Sequence, residues 1–145
     1  MITVSENHLK GNAYQHLFCA AALRRGLLVE TPEVPAPWDF RITNLKDPDT
    51  SWRVQVKGTE SPTKKDTCKR YRLTLKTGKG KTTKPINAAF VDVVVGYVED
   101  TDTWYNIPVS SLSKGVKTVC LYPHNRNSKG KYEIWKYDWS VYESY

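Results

Sequence analysis

The residues with the types and spacing to do chemistry are Asp39, in Pro37-Trp38-Asp39-Phe40-Arg41-Ile42, and Gln55 with Lys57, in Trp52-Arg53-Val54-Gln55-Val56-Lys57-Gly58. A carboxylate on one strand, followed on the next by an oxygen donor two residues before a lysine, can assemble a divalent-metal site that cuts phosphodiesters. Such hydrolysis needs an activated water, neutralisation of the charge building on the phosphate, and help for the departing 3′ oxygen; a hard cation supplies much of this. Asp39 is the anionic ligand, the Gln55 side-chain carbonyl a neutral one, and the Val56 backbone C=O a third, all oxygen donors suited to magnesium. Lys57 lies two residues beyond Gln55 and so on the same strand face, where it can hold the attacking water or stabilise the transition state. The same spacing also describes an ordinary polar sheet face, so the surrounding elements must decide.

The first of those elements is a helix from about Asn7 to Arg25. Asn7 is its expected cap, Gly26 its left-handed stop, and both the Leu9/Ala13/Leu17 face and the Phe18/Ala22 face are expected to be largely buried. Leu27–Glu30 has the pattern of a short strand, and Pro32, Pro35 and Pro37 force an extended link to a second at Trp38–Thr43. Asp47-Pro48-Asp49 makes the turn into a third strand, Ser51–Gly58. By alternation Trp52, Val54 and Val56 face one way while Arg53, Gln55 and Lys57 face the other. Tyr71–Lys76 alternates as a further strand, Phe90–Val98 is a strand covered on both faces with Asp92 at its start, and Thr103–Val109 is its neighbour. Trp135, Tyr137 and Trp139 sit at the spacing of a terminal strand face and are also a candidate interface.

At 145 residues the sequence fits one α/β domain spanning 1–145. No apolar run approaches the ~20 residues of a membrane helix, and no signal-peptide pattern opens the chain, so a soluble cytoplasmic protein is expected, associated with the nucleoid or acting in a phage-infected host. Cys19, Cys68 and Cys120 are an odd, widely spaced set, which argues against a disulfide framework or zinc ribbon and for reduced, buried thiols. Of the 22 Lys and Arg residues, 11 fall within residues 53–84 beside two acids, so that segment carries +9 and the remainder −2. Charge concentrated directly after the candidate site points to nucleic acid. Lys64, Lys65, Lys69, Arg70, Arg72, Lys76, Lys79, Lys81 and Lys84 are the candidate DNA contacts, and a two-stranded ribbon around residues 69–84 can enter a major groove. Ser110-Ser111 lacks a histidine partner and Gly78-Lys79-Gly80-Lys81 lacks P-loop spacing, which removes serine-hydrolase and nucleotide-hydrolysis readings.

The order of helix, short strand, Pro-x-Asp strand and a strand ending in Gln-Val-Lys-Gly resembles the PD-(D/E)XK nuclease superfamily. Its Gln-x-Lys variant looks most like the branch of intron-associated homing endonucleases and small phage or archaeal resolvase-like nucleases. The resemblance implies a restriction-endonuclease-like core in α-β-β-β-α-β order, a mixed β-sheet flanked by helices, here with a basic β-ribbon insertion. It implies a Mg2+-dependent endonuclease, with Mn2+ as substitute, acting on double-stranded or branched DNA, and a homodimer or homotetramer to cut both strands. Asp39, Gln55 and Lys57 match the motif. Relatives commonly carry a glutamate on the first helix where this chain has Gln15, which leaves the site one firm carboxylate and keeps open two alternatives to a homing-type enzyme: a Holliday-junction or repair nuclease, and a catalytically inactive DNA-binding protein of the same fold.

Overall fold

Ser5 accepts the His8 N–H on its Oγ, at 3.2 Å, and helix α1 follows over Glu6–Arg24. The computed structural model describes residues 5–62, 69–75, 84–124 and 130–143. Ser5, two residues before the expected Asn7, is thus the cap, and Gly26 at φ +79° ends the helix as expected. Tyr14, Phe18 and Ala22, spaced by four, form the buried stripe. The second expected face is corrected: Leu9, Ala13, Leu17 and Ala20 are exposed, because α1 lies on one sheet and is covered on one side.

Five strands form a mixed sheet in the order β1-β2-β3-β5-β6, with β1 at Leu27–Glu30, β2 at Phe40–Asn44, β3 at Ser51–Thr59, β5 at Val93–Val98 and β6 at Thr103–Pro108. The β3–β5 pair is parallel and the other pairs are antiparallel. Between them, β4 (Tyr71–Thr74) pairs with β7 (Thr118–Leu121) as a separate two-stranded sheet. The second α-helix of the expected α-β-β-β-α-β order is not found among the described residues; β4 and β7 cover this face of the sheet, with Tyr71, Leu73, Leu75, Val119 and Leu121 buried against Val94, Val98 and Ile107. The other face of the sheet carries Phe40, Ile42, Val54, Val56, Val93 and Val95, packed under α1. Strand β5 feeds both cores, which is why its sequence is almost unbroken Val.

The expected terminal strand does not form. The chain makes short 3-10 turns at Glu133–Trp135 and Trp139–Tyr142, with Tyr137 at φ +55° between them. Trp139 stacks on Phe18, and Tyr142 is fully buried with its hydroxyl donating to Asn106 Oδ1 at 3.0 Å. These aromatics therefore complete the core under α1. Of the ribbon expected around residues 69–84, β4 is described and pairs with β7; residues 76–83 lie outside the described part. Cys19 and Cys120 are free and half-buried; Cys68 lies outside the described residues. Among the described residues no helix is long and apolar enough to cross a membrane.

Two contacts fix how the layers meet. The Arg53 guanidinium donates to both carboxylate oxygens of Asp92 at 3.0 Å and to the Ala89 carbonyl at 2.7 Å, while the Arg53 N–H donates to Asp92 Oδ2. Asp92 is the strand-start residue anticipated from sequence, and the clamp pins the start of β5 to β3. At the far end Tyr14 lies flat on Gly58, where a Cβ would sit 2.2 Å from Tyr14 Cδ2 and 2.3 Å from Cε2. The Tyr14 hydroxyl donates to Glu99 Oε2 at 3.0 Å, so the ring is held at its tip and cannot swing away without breaking that bond. Gly58→Ala is expected to destabilise the protein by about 1–3 kcal/mol through overpacking, read as a lower urea midpoint with unchanged m-value.

Candidate active site

Strand β2 pairs with β3 from Thr43 back to Phe40 and then departs, directed away by the proline-rich link. The Asp39 N–H still donates to the Val54 carbonyl at 2.8 Å, but the next bond is made by the side chain: Asp39 Oδ2 accepts the Val56 N–H at 2.8 Å. A carboxylate thus occupies the position where a backbone carbonyl would continue the ladder. In an antiparallel pair, residues two apart point their N–H and C=O toward the same neighbour, so the Val56 carbonyl is directed to this same edge.

Gln55 lies beside it. The Gln55 Nε2 donates to the Pro37 carbonyl at 3.4 Å, which sets the amide's orientation, since the flipped amide would oppose two oxygens. Its Oε1 is then buried with no hydrogen-bond partner among the described residues. A buried orphan oxygen costs about 1–3 kcal/mol, a cost that a cation or its bound water would relieve. Lys57 is half-buried; desolvation pulls its ammonium below the ordinary lysine value, opposed by the negative charge of Asp39. Desolvation likewise pushes the Asp39 carboxyl up, opposed by the Val56 N–H and by Lys57.

These groups line a cleft of about 410 Å3, closed on its other side by the first turns of α1 through Asn7, Lys10, Gly11, Tyr14 and Gln15. Asp39, Gln55, Val56, Lys57 and Gln15, all singled out from sequence, therefore meet around one opening. Among the described residues no group of three or more His, Cys, Asp or Glu is placed to hold a metal. A cation here would be held by Asp39, Gln55 and the Val56 carbonyl, an all-oxygen set that suits a hard divalent ion and leaves positions for water.

The basic residues are more dispersed. Lys69 and Arg72 are exposed and Arg70 half-buried, and none of them lines this cleft. Lys84 lines a larger cavity of about 920 Å3 that shares Gln55 as a wall. Lys64, Lys65, Lys76, Lys79 and Lys81 lie outside the described residues. His124 stacks on Tyr71 with its Nε2 2.9 Å from the tyrosine hydroxyl, away from the cleft. Sequence reasoning passed over Lys10, Gly11, Tyr14 and Glu60 as cleft residues; Lys10 and Glu60 form an ion pair across the rim. Gly58, next to Lys57 in a strand, was the available signal of a close approach there.

The pKa of Asp39 carries a sign that can be tested. Its carboxyl is harder to ionise in the folded protein than in the unfolded chain, so its contribution to stability is present at low pH and lost as pH rises through the folded value. Asp39→Asn keeps the oxygen that accepts the Val56 N–H and removes the buried charge. Its melting temperature is expected to match or exceed wild type at pH 7 to 8, with the gain vanishing as pH falls below the carboxyl's ordinary 3.8. Paired thermal melts across that range check it.

Comparison with known proteins bears on the fold and the family. A bacterial homing endonuclease, I-Ssp6803I, has a similar structure, with a TM-score of 0.75 at 19% sequence identity over 94% of this chain and 93% of that one. At that identity the likeness establishes a shared restriction-endonuclease-like fold. No curated protein matches the sequence. The sequence pattern of the PD-(D/E)XK endonucleases matches residues 5–141, nearly the whole chain, and this protein therefore belongs to the PD-(D/E)XK endonuclease family.

Proposed function

We propose that this protein is a Mg2+-dependent endonuclease that hydrolyses phosphodiester bonds in double-stranded DNA in a sequence-directed, homing-type manner. The observation that carries the reading is the meeting of the Asp39 carboxylate, the unpartnered Gln55 oxygen and the Lys57 ammonium in one cleft. Nucleases of this family generally use divalent metals. When bound, the cation would supply Lewis-acid polarisation of the phosphate and a lower pKa for water. Asp39, Gln55 and the Val56 carbonyl hold it, and Mn2+, with similar oxygen preference, substitutes.

The chain's own contribution is charge and position. Lys57 orients the attacking water and stabilises the charge developing on the phosphate oxygens, an effect strengthened by its partial burial. Water adds to phosphorus, the P–O3′ bond breaks, and the oxygen that leaves takes up a proton, giving a 5′ phosphate and a 3′ hydroxyl. Gln15 directs an amide rather than a second carboxylate toward this space, which keeps the net negative charge of the site low. The exposed Lys69, Arg72 and Lys84, with the basic residues on either side of them, supply phosphate contacts. Cutting both strands calls for two copies of the site, hence a homodimer or homotetramer.

Gln15 favours one alternative, a nuclease-fold protein that binds DNA without cutting it. Incubating the protein with supercoiled plasmid and with four-way-junction DNA, with and without Mg2+, decides among these. Nicking or linearisation of plasmid that requires the metal is expected, and a preference for the junction would instead favour the resolvase or repair variant. Lys57→Ala is expected to slow cutting about 10²–10³-fold while leaving DNA binding in place. Gln15→Glu is expected to lower the Mg2+ concentration needed for half-maximal rate. Binding of duplex with no cleavage in any divalent metal would remove the enzyme reading.

A further inference from the structure

The N-terminal half of α1 carries a row of residues at i, i+4 and i+8, Asn7, Gly11 and Gln15, that lies beside the buried Tyr14–Phe18–Ala22 stripe. All three members line the cleft that holds Asp39 and Lys57. Glycine is the poorest helix former apart from proline, and position 11 is well inside the helix. The usual reasons for keeping it there fail. Its φ is not in the left-handed region, and an ideal Cβ at Gly11 meets no atom of the described residues within 4 Å. Gly58, by contrast, is required by the ring of Tyr14. Neither packing among the described residues nor backbone geometry thus accounts for Gly11, which lines the cleft.

We infer that Gly11 is a notch through which the sugar–phosphate backbone of the DNA strand being cut passes over α1, with the Asn7 and Gln15 amides as hydrogen-bond donors on either side. Eight residues separate those amides, roughly 12 Å of helix, or the axial rise of about three to four nucleotides. Lys10, at the rim, offers a cation once a phosphate competes with Glu60 for it. A side chain at position 11 would fill the groove without disturbing the fold. The glycine therefore costs helix stability and keeps room for substrate. This rests on the endonuclease reading for the identity of the strand.

The experiment sets stability against function. Gly11→Ala and Gly11→Leu both add a better helix former in open space, and Gly11→Ala is expected to raise the melting temperature by about 2–4 °C. Metal-dependent nicking of a plasmid pool with random inserts, and binding of random-sequence duplex in Ca2+, are expected to fall in both variants. The loss should be larger for Gly11→Leu, at least ~10-fold. Gly11→Leu that cuts and binds like wild type overturns the inference, as does Gly11→Ala that loses stability and activity together. If wild type binds duplex but never cuts, the nuclease reading fails and the notch is judged on binding alone, where an unchanged Gly11→Leu affinity overturns it. Wild type that binds no DNA overturns both.

Discussion

The bond from the Val56 N–H to Asp39 Oδ2 is the constraint on which the candidate site depends. A sheet edge where one strand leaves and its neighbour continues exposes backbone donors and acceptors that need partners. Here the departing strand leaves a carboxylate behind as that partner. The acid is thereby fixed relative to the backbone of β3, and Gln55 and Lys57, on either side of Val56, inherit that fixed relation. A position set by a backbone hydrogen bond on a strand is stiffer than one set by a loop, and stiffness is what a site for phosphoryl chemistry needs.

The helix then encloses what the strands position. Tyr14 meets β3 at Gly58 and reaches Glu99 with its hydroxyl, whose pKa is pushed up to about 12 by burial and by that carboxylate. Tyr97 holds Asp102 in the same turn at 2.7 Å, and Tyr71 holds Asp100. The acidic turn after β5 is therefore tied down by hydroxyls from α1, β4 and β5. Its negative charge is kept beside the cleft on neutral donors, leaving Lys57 to respond chiefly to burial and to Asp39.

Much of this was legible in the sequence where a local rule acts on a short window. The Gly26 stop, the β1 to β3 meander, the burial of β5 and the placing of Gln55 and Lys57 on one side of β3 follow from capping, proline placement and period-two alternation, whereas Asp39 lies just outside β2 and is placed by its bond to the Val56 N–H. What escaped depended on partners distant in sequence. Leu9 and Leu17 have the spacing of a buried face, but whether a second layer covers that face is decided by the rest of the chain. Trp135, Tyr137 and Trp139 have the spacing of a strand face, whereas the place of Trp139 is set by Phe18, more than a hundred positions earlier. Likewise β4 and β7 find each other across a gap that no local pattern reveals. The lining of the cleft by α1 was half visible, because Gln15 was suspected from its motif position while Tyr14 and Gly11 carry no chemical signature of their own.

The parallel pairing of β3 and β5 has an evolutionary consequence. Their register runs from Val54 against Val93 to Thr59 against Val98, so the chain must cross over between them through residues 60–92, the most basic part of the sequence. The Arg53–Asp92 clamp fixes where the crossover must return, and nothing in that clamp depends on the length of chain in between. Doubling a loop costs only about 0.6 kcal/mol in closure entropy. Length changes in the crossover that leave Tyr71, Leu73, Leu75 and Val91 in the second core can therefore be accommodated at little thermodynamic penalty while Asp39, Gln55 and Lys57 stay in place. The candidate site residues and most of the basic residues are thus carried on different stretches of one short chain, free to diverge at different rates.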